Sequence, residues 1–151
     1  MVAVVDSQTY WFDENGIDAA TVAKRFDDES TENDGNWLTK LGAIQNFDEA
    51  VVLDVTASKE LATRYVEIAQ QGIHLISANK VAGSADSQYY HQVQDAFAKI
   101  GRHWLYNATV GAGLPINHTV RDLRESGDDI VALSGISVSY THLTLPTRDD
   151  V

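Results

Sequence analysis

Residues 51–80, VVLDVTASKELATRYVEIAQQGIHLISANK, decide the fold. Val51–Val55 is a β-branched, apolar run of strand length, too short for a helix. Thr56-Ala-Ser58 breaks it, and Leu61, Ala62, Tyr65, Ile68 and Ala69 then fall on one face at helical spacing. Gly72 stands where a helix stop needs a left-handed residue. Ile73–Ile76 is a second apolar run, ending in Ser77-Ala-Asn-Lys80. Strand, helix and strand in about 30 residues predict a right-handed crossover between two parallel strands.

Downstream, the pattern repeats. Asp86 to Ile100 predicts a helix with Tyr90, Val93, Phe97 and Ile100 on its apolar face, closed by Gly101. His103–Tyr106 predicts a strand ending in Asn107. A glycine-rich turn follows, then a helix opened by Pro115 and bearing Ile116, Val120 and Leu123. Ile130–Leu133 predicts a last strand, extending to Ile136. Upstream, Val2–Val5 predicts a strand ending in Asp6, and Gly16 to Phe26 a helix entered at Asp18. Asp27 to Asn36 is polar enough for a surface loop, and Trp37, Leu38 and Leu41 suggest a short packed helix. Alternation of this kind predicts an α/β fold with a parallel sheet.

Composition narrows the function. The 151 residues are 44% hydrophobic, enough for one modest core, with a formal charge of −11. So acidic a surface repels phosphate backbones, which argues against nucleic-acid partners and anionic membranes. There are no cysteines, so disulfides and thiolate metal sites are excluded. The N-terminus lacks the flanks of a signal peptide. No apolar run reaches the ~18 residues of a membrane helix. The expectation is a cytoplasmic domain. The five histidines show no metal-ligand spacing, and none of G-x-G-x-x-G, G-x-x-x-x-G-K-[ST] or G-x-S-x-G occurs.

Chemistry in open α/β sheets gathers beyond the carboxyl ends of the strands. Four segments leave such ends: Asp6-Ser7, Thr56-Ala-Ser58, Asn79-Lys80 and Asn107 to Leu114. Parallel strands would bring all four to one edge. Asp6 could accept from a ribose or be a turn residue, and Ser58 could face a ligand or cap a helix. Lys80 could stabilise oxyanion charge during carbonyl reduction or be an ordinary solvated lysine. Thr109-Val-Gly-Ala-Gly-Leu-Pro115 could hold a hard cation on carbonyls, present amides to an anion, or be a plain strand-to-helix turn.

Taken in order, Val51–Ser58, Ile76–Lys80 and Arg102–Leu123 resemble homoserine dehydrogenase, in particular the dehydrogenase half of the bifunctional aspartokinase/homoserine dehydrogenases of the methionine branch. The likeness runs from about Val2 to Ile136. It implies a partial Rossmann-like parallel sheet with helices on both faces, lacking the first strand and glycine loop. It also implies hydride transfer between NADP or NAD and the pair L-homoserine and L-aspartate 4-semialdehyde, in a homo-oligomeric parent enzyme of methionine and threonine biosynthesis. By match to the family's motifs, Asp6 and Ser7 lie at the ribose and Thr56, Ala57 and Ser58 in the cofactor turn. Asn79 and Lys80 lie near the nicotinamide, with Lys80 catalytic. Asn107, Val110, Ala112 and Leu114 match positions that hold a monovalent cation, Na or K.

Several departures accompany the resemblance. Gln8-Thr9 stands where NADP-preferring relatives often carry a basic residue, and Asn107 replaces an acidic one. The family's first strand and phosphate loop would precede Val2. Residues 1–136 are thus expected to be part of an NAD(P)-binding domain. Residues 137–151 depart from the family and resemble translated adaptor sequence, so they are expected to be non-native. The polypeptide alone is expected to be inactive. The competing expectation is a non-catalytic α/β module serving oligomerisation or regulation.

Overall fold

A computed structural model describes residues 1–43, 49–111 and 114–132. Ala112, the end of the expected last strand and the expected foreign tail lie outside them.

The parallel sheet forms where the sequence places it. Its strands are β4 (Val51–Asp54), β5 (His74–Ser77) and β6 (Trp104–Leu105), hydrogen-bonded in that order. Register aligns Leu53 with Ile76 and Ile76 with Leu105. Because strand side chains alternate, Asp54, Leu75, Ser77 and Trp104 point inward and are buried. Helices α4 (Tyr65–Gln70) and α5 (Ser87–Lys99) pack together over that face, bringing Tyr65, Ile68, Val93 and Phe97 into one core with Leu75. The opposite face presents Leu53, Ile76 and Leu105, which are 63%, 41% and 43% exposed. Among the described residues, therefore, the expected second helical layer does not cover it.

Helix boundaries follow local chemistry. The helix expected after Ser58 is two: α3 (Lys59–Thr63) and α4, joined at Arg64. There the Arg64 N–H reaches back only to the Leu61 carbonyl, and the Thr63 hydroxyl donates to Glu60 O. Gly72 and Gly101 terminate α4 and α5, with Gly72 at φ +73°. Asp86 caps α5 by accepting from the Tyr89 N–H. The last helix, α6 (Ile116–Glu125), begins directly after Pro115. Residues 130–132 form no strand, and Val131 is 95% exposed, against expectation.

The N-terminal third departs most. β1 (Ala3–Val5) does not join the parallel sheet. It pairs antiparallel with β2 (Thr9–Phe12), which pairs with β3 (Thr31–Glu32) in a separate sheet. The physical reason is local. Asp6 accepts from the Gln8 and Thr9 amides, turning the chain back at once, so Val5 meets Tyr10. Asp18 does open a helical segment, as a 3-10 turn (Ala19–Thr21) leading into α1 (Val22–Glu29), which ends beyond the expected Phe26. β3 lies inside the stretch read as loop. α2 (Trp37–Gly42) forms as expected, burying Trp37 and Leu38.

Candidate functional site

The ends of β4, β5 and β6 leave one edge of the parallel sheet, and three of the four expected turns meet there. The junction is built on Asp54, which is only 1% exposed. One carboxylate oxygen accepts from the Thr56 N–H and the Thr56 hydroxyl, both at 2.8 Å. The other accepts from the Tyr65 hydroxyl at 2.6 Å and from Asn79 Nδ2 at 3.1 Å. Asn79 also donates to the Ser58 carbonyl at 2.8 Å and accepts from the Val81 N–H at 3.0 Å. The first turn is thus fastened to the second through buried polar groups.

Within the first turn, the Ser58 hydroxyl accepts from the Leu61 N–H at 3.1 Å, so Ser58 is the N-cap of α3. Thr56 and Ala57 remain exposed beside Val55, which is 71% exposed. In the second turn Lys80 is exposed, and its carbonyl accepts from the Ser84 N–H and hydroxyl. The third turn adjoins the second: a Cβ built on Gly83 would lie 3.8 Å from Thr109 Oγ1.

The third turn has its own internal logic. Gly111 has φ +74°, which favours glycine, and a Cβ there would fall 2.4 Å from Ile116 Cδ1, so a larger residue would strain the backbone and displace that side chain. Among the expected cation positions, the Asn107 amide is hydrogen-bonded with the His118 ring and the Leu114 carbonyl accepts from Ile116 N. Val110 is exposed, and Ala112 lies outside the described residues. Of the oxygens expected to face a cation, the Leu114 carbonyl thus already accepts one main-chain hydrogen bond, while the Asn107 contact is made through its nitrogen. No group of three or more His, Asp or Glu gathers to hold a metal among the described residues.

Asp6 and Ser7 do not share this edge. They form the turn of the separate antiparallel sheet, where the carboxylate serves its own hairpin. Those two amide donors, Thr9 first, hold Asp6 below the usual carboxylate range. The turn role is made through Asp6 Oδ1.

Sequence reasoning missed Asp54, Tyr65 and Ser77. Tyr65 has its phenol pushed far up by burial and then by Asp54, so it is a committed donor. Ser77 accepts from Trp104 Nε1 at 2.9 Å, fixing β6 to β5. The signal was present: a carboxylate inside a buried apolar strand must be satisfied by specific donors. His74 and His103, read as structural, stack with ring centroids 5.3 Å apart at the far end of these strands. Two hollows lie away from the rim, one of about 320 Å³ beside Tyr10, Thr31 and Lys40, the other of about 430 Å³ beside Phe97, Trp104 and Tyr106.

A parallel sheet whose polar turns gather at its carboxyl edge has the architecture of a dinucleotide-binding α/β domain. The family model described as homoserine dehydrogenase, NAD binding domain, matches residues 2–107. This chain belongs to the homoserine dehydrogenase NAD-binding domain family. It is 54% identical over 136 residues to bifunctional aspartokinase/homoserine dehydrogenase 2 of Escherichia coli, covering 90% of this chain and 17% of that protein. Against the chloroplastic bifunctional aspartokinase/homoserine dehydrogenase 2 of Arabidopsis thaliana, identity is 35% over 90% of this chain and 15% of the relative. The chain therefore spans under a fifth of the length of these relatives. Among solved structures, a Candida auris protein of unknown function superposes with TM-score 0.73 at 25% identity, covering 83% of this chain and 35% of that one. Homoserine dehydrogenase from Thermoplasma acidophilum gives TM-score 0.57 at 20% identity over 80% of this chain and 37% of its own, a likeness of fold.

Proposed function

We propose that this chain forms the nicotinamide side of the cofactor domain in an enzyme that interconverts L-homoserine and L-aspartate 4-semialdehyde with NAD(P)(H). The observation that carries the reading is the single rim on which Thr56-Ala57, Lys80 and the Asn107–Val110 turn lie together. The rim suits such a cofactor. Thr56 and Ala57 are exposed, Val55 offers apolar surface to a ring, and the Lys80 ammonium complements a dinucleotide's negative charge. The bound nicotinamide supplies the hydride chemistry. The turn at Thr56-Ala57-Ser58 orients it, and Asn79 anchors the backbone from which Lys80 reaches the reacting oxygen. There the Lys80 ammonium stabilises negative charge as the carbonyl is reduced. Asp6-Ser7 would serve the ribose only through the outside of its hairpin, and NAD against NADP preference is not set by a basic residue after it. A monovalent cation on the Asn107, Val110, Ala112 and Leu114 turn is a subordinate part of the proposal.

The 151-residue polypeptide alone is expected to be inactive. It carries no G-x-G-x-x-G loop to place amides and a helix N-terminus against the pyrophosphate. None of the residues proposed above positions the semialdehyde, and orientation can supply about 7–11 kcal/mol of a barrier. In this reading the parent is a cytoplasmic homo-oligomer of methionine and threonine biosynthesis, and residues 137–151 are foreign to it. No described helix is long and apolar enough to cross a membrane.

The exposed row of Leu53, Ile76 and Leu105 favours a second reading, a non-catalytic interaction module that docks through this apolar face. One experiment separates them. Residues 2–136 are exchanged into the Escherichia coli relative, and homoserine oxidation is followed by nicotinamide absorbance. The account expects turnover in the hybrid, a loss of about a hundredfold in kcat on Lys80→Ala, and none in the isolated chain. An inactive, folded hybrid would refute the enzymatic reading, and an unaffected Lys80→Ala hybrid would remove Lys80 from the chemistry.

A further inference from the structure

Asp54 stands out because neither the fold class nor the proposed site residues require it. The inward-facing position at the end of β4 could hold an apolar side chain, as Leu75 does on β5. Instead a carboxylate is buried there, with donors on both oxygens from two different turns and from α4. Burying a carboxylate is costly unless such donors satisfy it, and hydrogen bonds to an ionised acceptor are the stronger kind.

The geometry also fixes what Thr56 can do. Its hydroxyl donates to Asp54 and accepts from the Ser58 N–H at 3.1 Å. The hydroxyl proton is therefore committed within the turn, which leaves one acceptor site on the oxygen, the backbone and the methyl group as the surface Thr56 offers. Across the junction, Asp54 accepts from Asn79 Nδ2 while Asn79 Oδ1 takes the Val81 N–H, so the backbone on either side of Lys80 is held from one buried point. The Asp54 carbonyl accepts from the Ala78 N–H at 2.8 Å, adding a main-chain tie between the same segments.

We propose that Asp54 is the positioning residue of the rim, coupling the Thr56-Ala57-Ser58 turn to the Asn79-Lys80 turn so that both present a fixed backbone to one ligand. It acts through Thr56 and Asn79. The proposal rests on the reading that these turns face a nicotinamide. Asp54→Asn is the sharp perturbation. An amide has one acceptor oxygen, so in either orientation its NH2 opposes the Thr56 N–H or Asn79 Nδ2, and one turn loses its anchor.

The test uses the full chain and amide hydrogen exchange by NMR without ligand. In Asp54→Asn, exchange at Thr56 or Val81 should rise about tenfold or more, as expected when Thr56 loses its bond to the carboxylate or Asn79, which holds Val81, loses its anchor. The core amide of Leu75, which donates to the His103 carbonyl, should rise by a smaller factor, the one set by the loss of global stability. A uniform rise at all three amides would show a merely structural role and overturn the proposal, as would no change at Thr56 and Val81. If Asp54→Asn fails to fold, Tyr65→Phe removes one donor to the same carboxylate and should give the same selective pattern at smaller size, with the same contrary outcomes. A second arm adds oxidised nicotinamide mononucleotide. Selective exchange together with rim shifts in the wild type that weaken about tenfold in Asp54→Asn supports both readings. Selective exchange without any rim shifts in the wild type keeps the coupling of the two turns but refutes the nicotinamide reading. Rim shifts equally strong in the variant would refute positioning.

Discussion

Asp6 and Asp54 follow or end short β-branched strands, and each accepts from the backbone N–H two residues on. In sequence they look alike. In the fold they do opposite things. Asp6 is exposed and serves its own hairpin, turning β1 back onto β2. Asp54 is buried and reaches across to Tyr65 and Asn79, which are 11 and 25 residues away. The difference teaches that a carboxylate at a strand end becomes a long-range organiser only when it faces a covered side of the sheet.

The largest effect should come from the buried member. Asp54→Ala leaves Tyr65, Asn79 and Thr56 donors without their acceptor, and a loss of about 3 kcal/mol is expected from urea unfolding. A loss below about 1 kcal/mol would erase the distinction from Asp6. Next comes the rim's third turn, where Gly111 combines φ +74° with contact against Ile116. Gly111→Ala should cost about 1–2 kcal/mol, and an unchanged midpoint would show that the turn relaxes freely.

Smaller effects sharpen the contrast. Asp6→Asn should barely move the unfolding midpoint near neutrality, because the exposed turn can bond to water instead. Since folding lowers the Asp6 value, its contribution is present above the unfolded carboxylate range and is lost as pH falls through the folded value. The wild type and Asp6→Asn should therefore converge in acid, which thermal melts across that range would check. His74 offers a pH effect nearer neutrality. Burial, then the Arg102 charge, holds it below the ordinary imidazole value, with His103 adding to this and Glu49 opposing it. Its neutral ring accepts from the His103 N–H at 3.0 Å. A depressed folded value means stability is complete above the unfolded imidazole range and declines as pH drops through the folded one. His74→Gln should flatten a small fall in melting temperature between neutral and mildly acidic buffer, and an identical slope in the variant would contradict this.

The same contrast explains what could be read in the sequence. The half from Val51 to Leu105 was legible because each strand is followed by a helix with a clear apolar stripe and a glycine stop, so period and punctuation agree. Thr9–Phe12 escaped because its partner strands are three and two residues long, too short to leave a periodic trace, and Thr31–Glu32 hides in an acidic stretch. Asp6 reads in sequence as an end of a parallel strand because a β-branched run looks the same whichever sheet it joins. The rim turns were legible as polar breaks after apolar runs. Asp54, Tyr65 and Ser77 were not, since their role depends on partners brought near by the crossover rather than on neighbours in the chain.

The central claim is that three turns form one nicotinamide-facing rim. The most direct measurement is a two-dimensional amide NMR titration of the wild-type chain with oxidised nicotinamide mononucleotide, which carries the reactive ring without needing a dinucleotide loop. The account expects shifts concentrated at Val55 to Ser58, Ala78 to Val81 and Asn107 to Val110. Shifts centred instead on the hollow at Tyr10 and Lys40, or no shift at those three turns at saturating ligand, would contradict it.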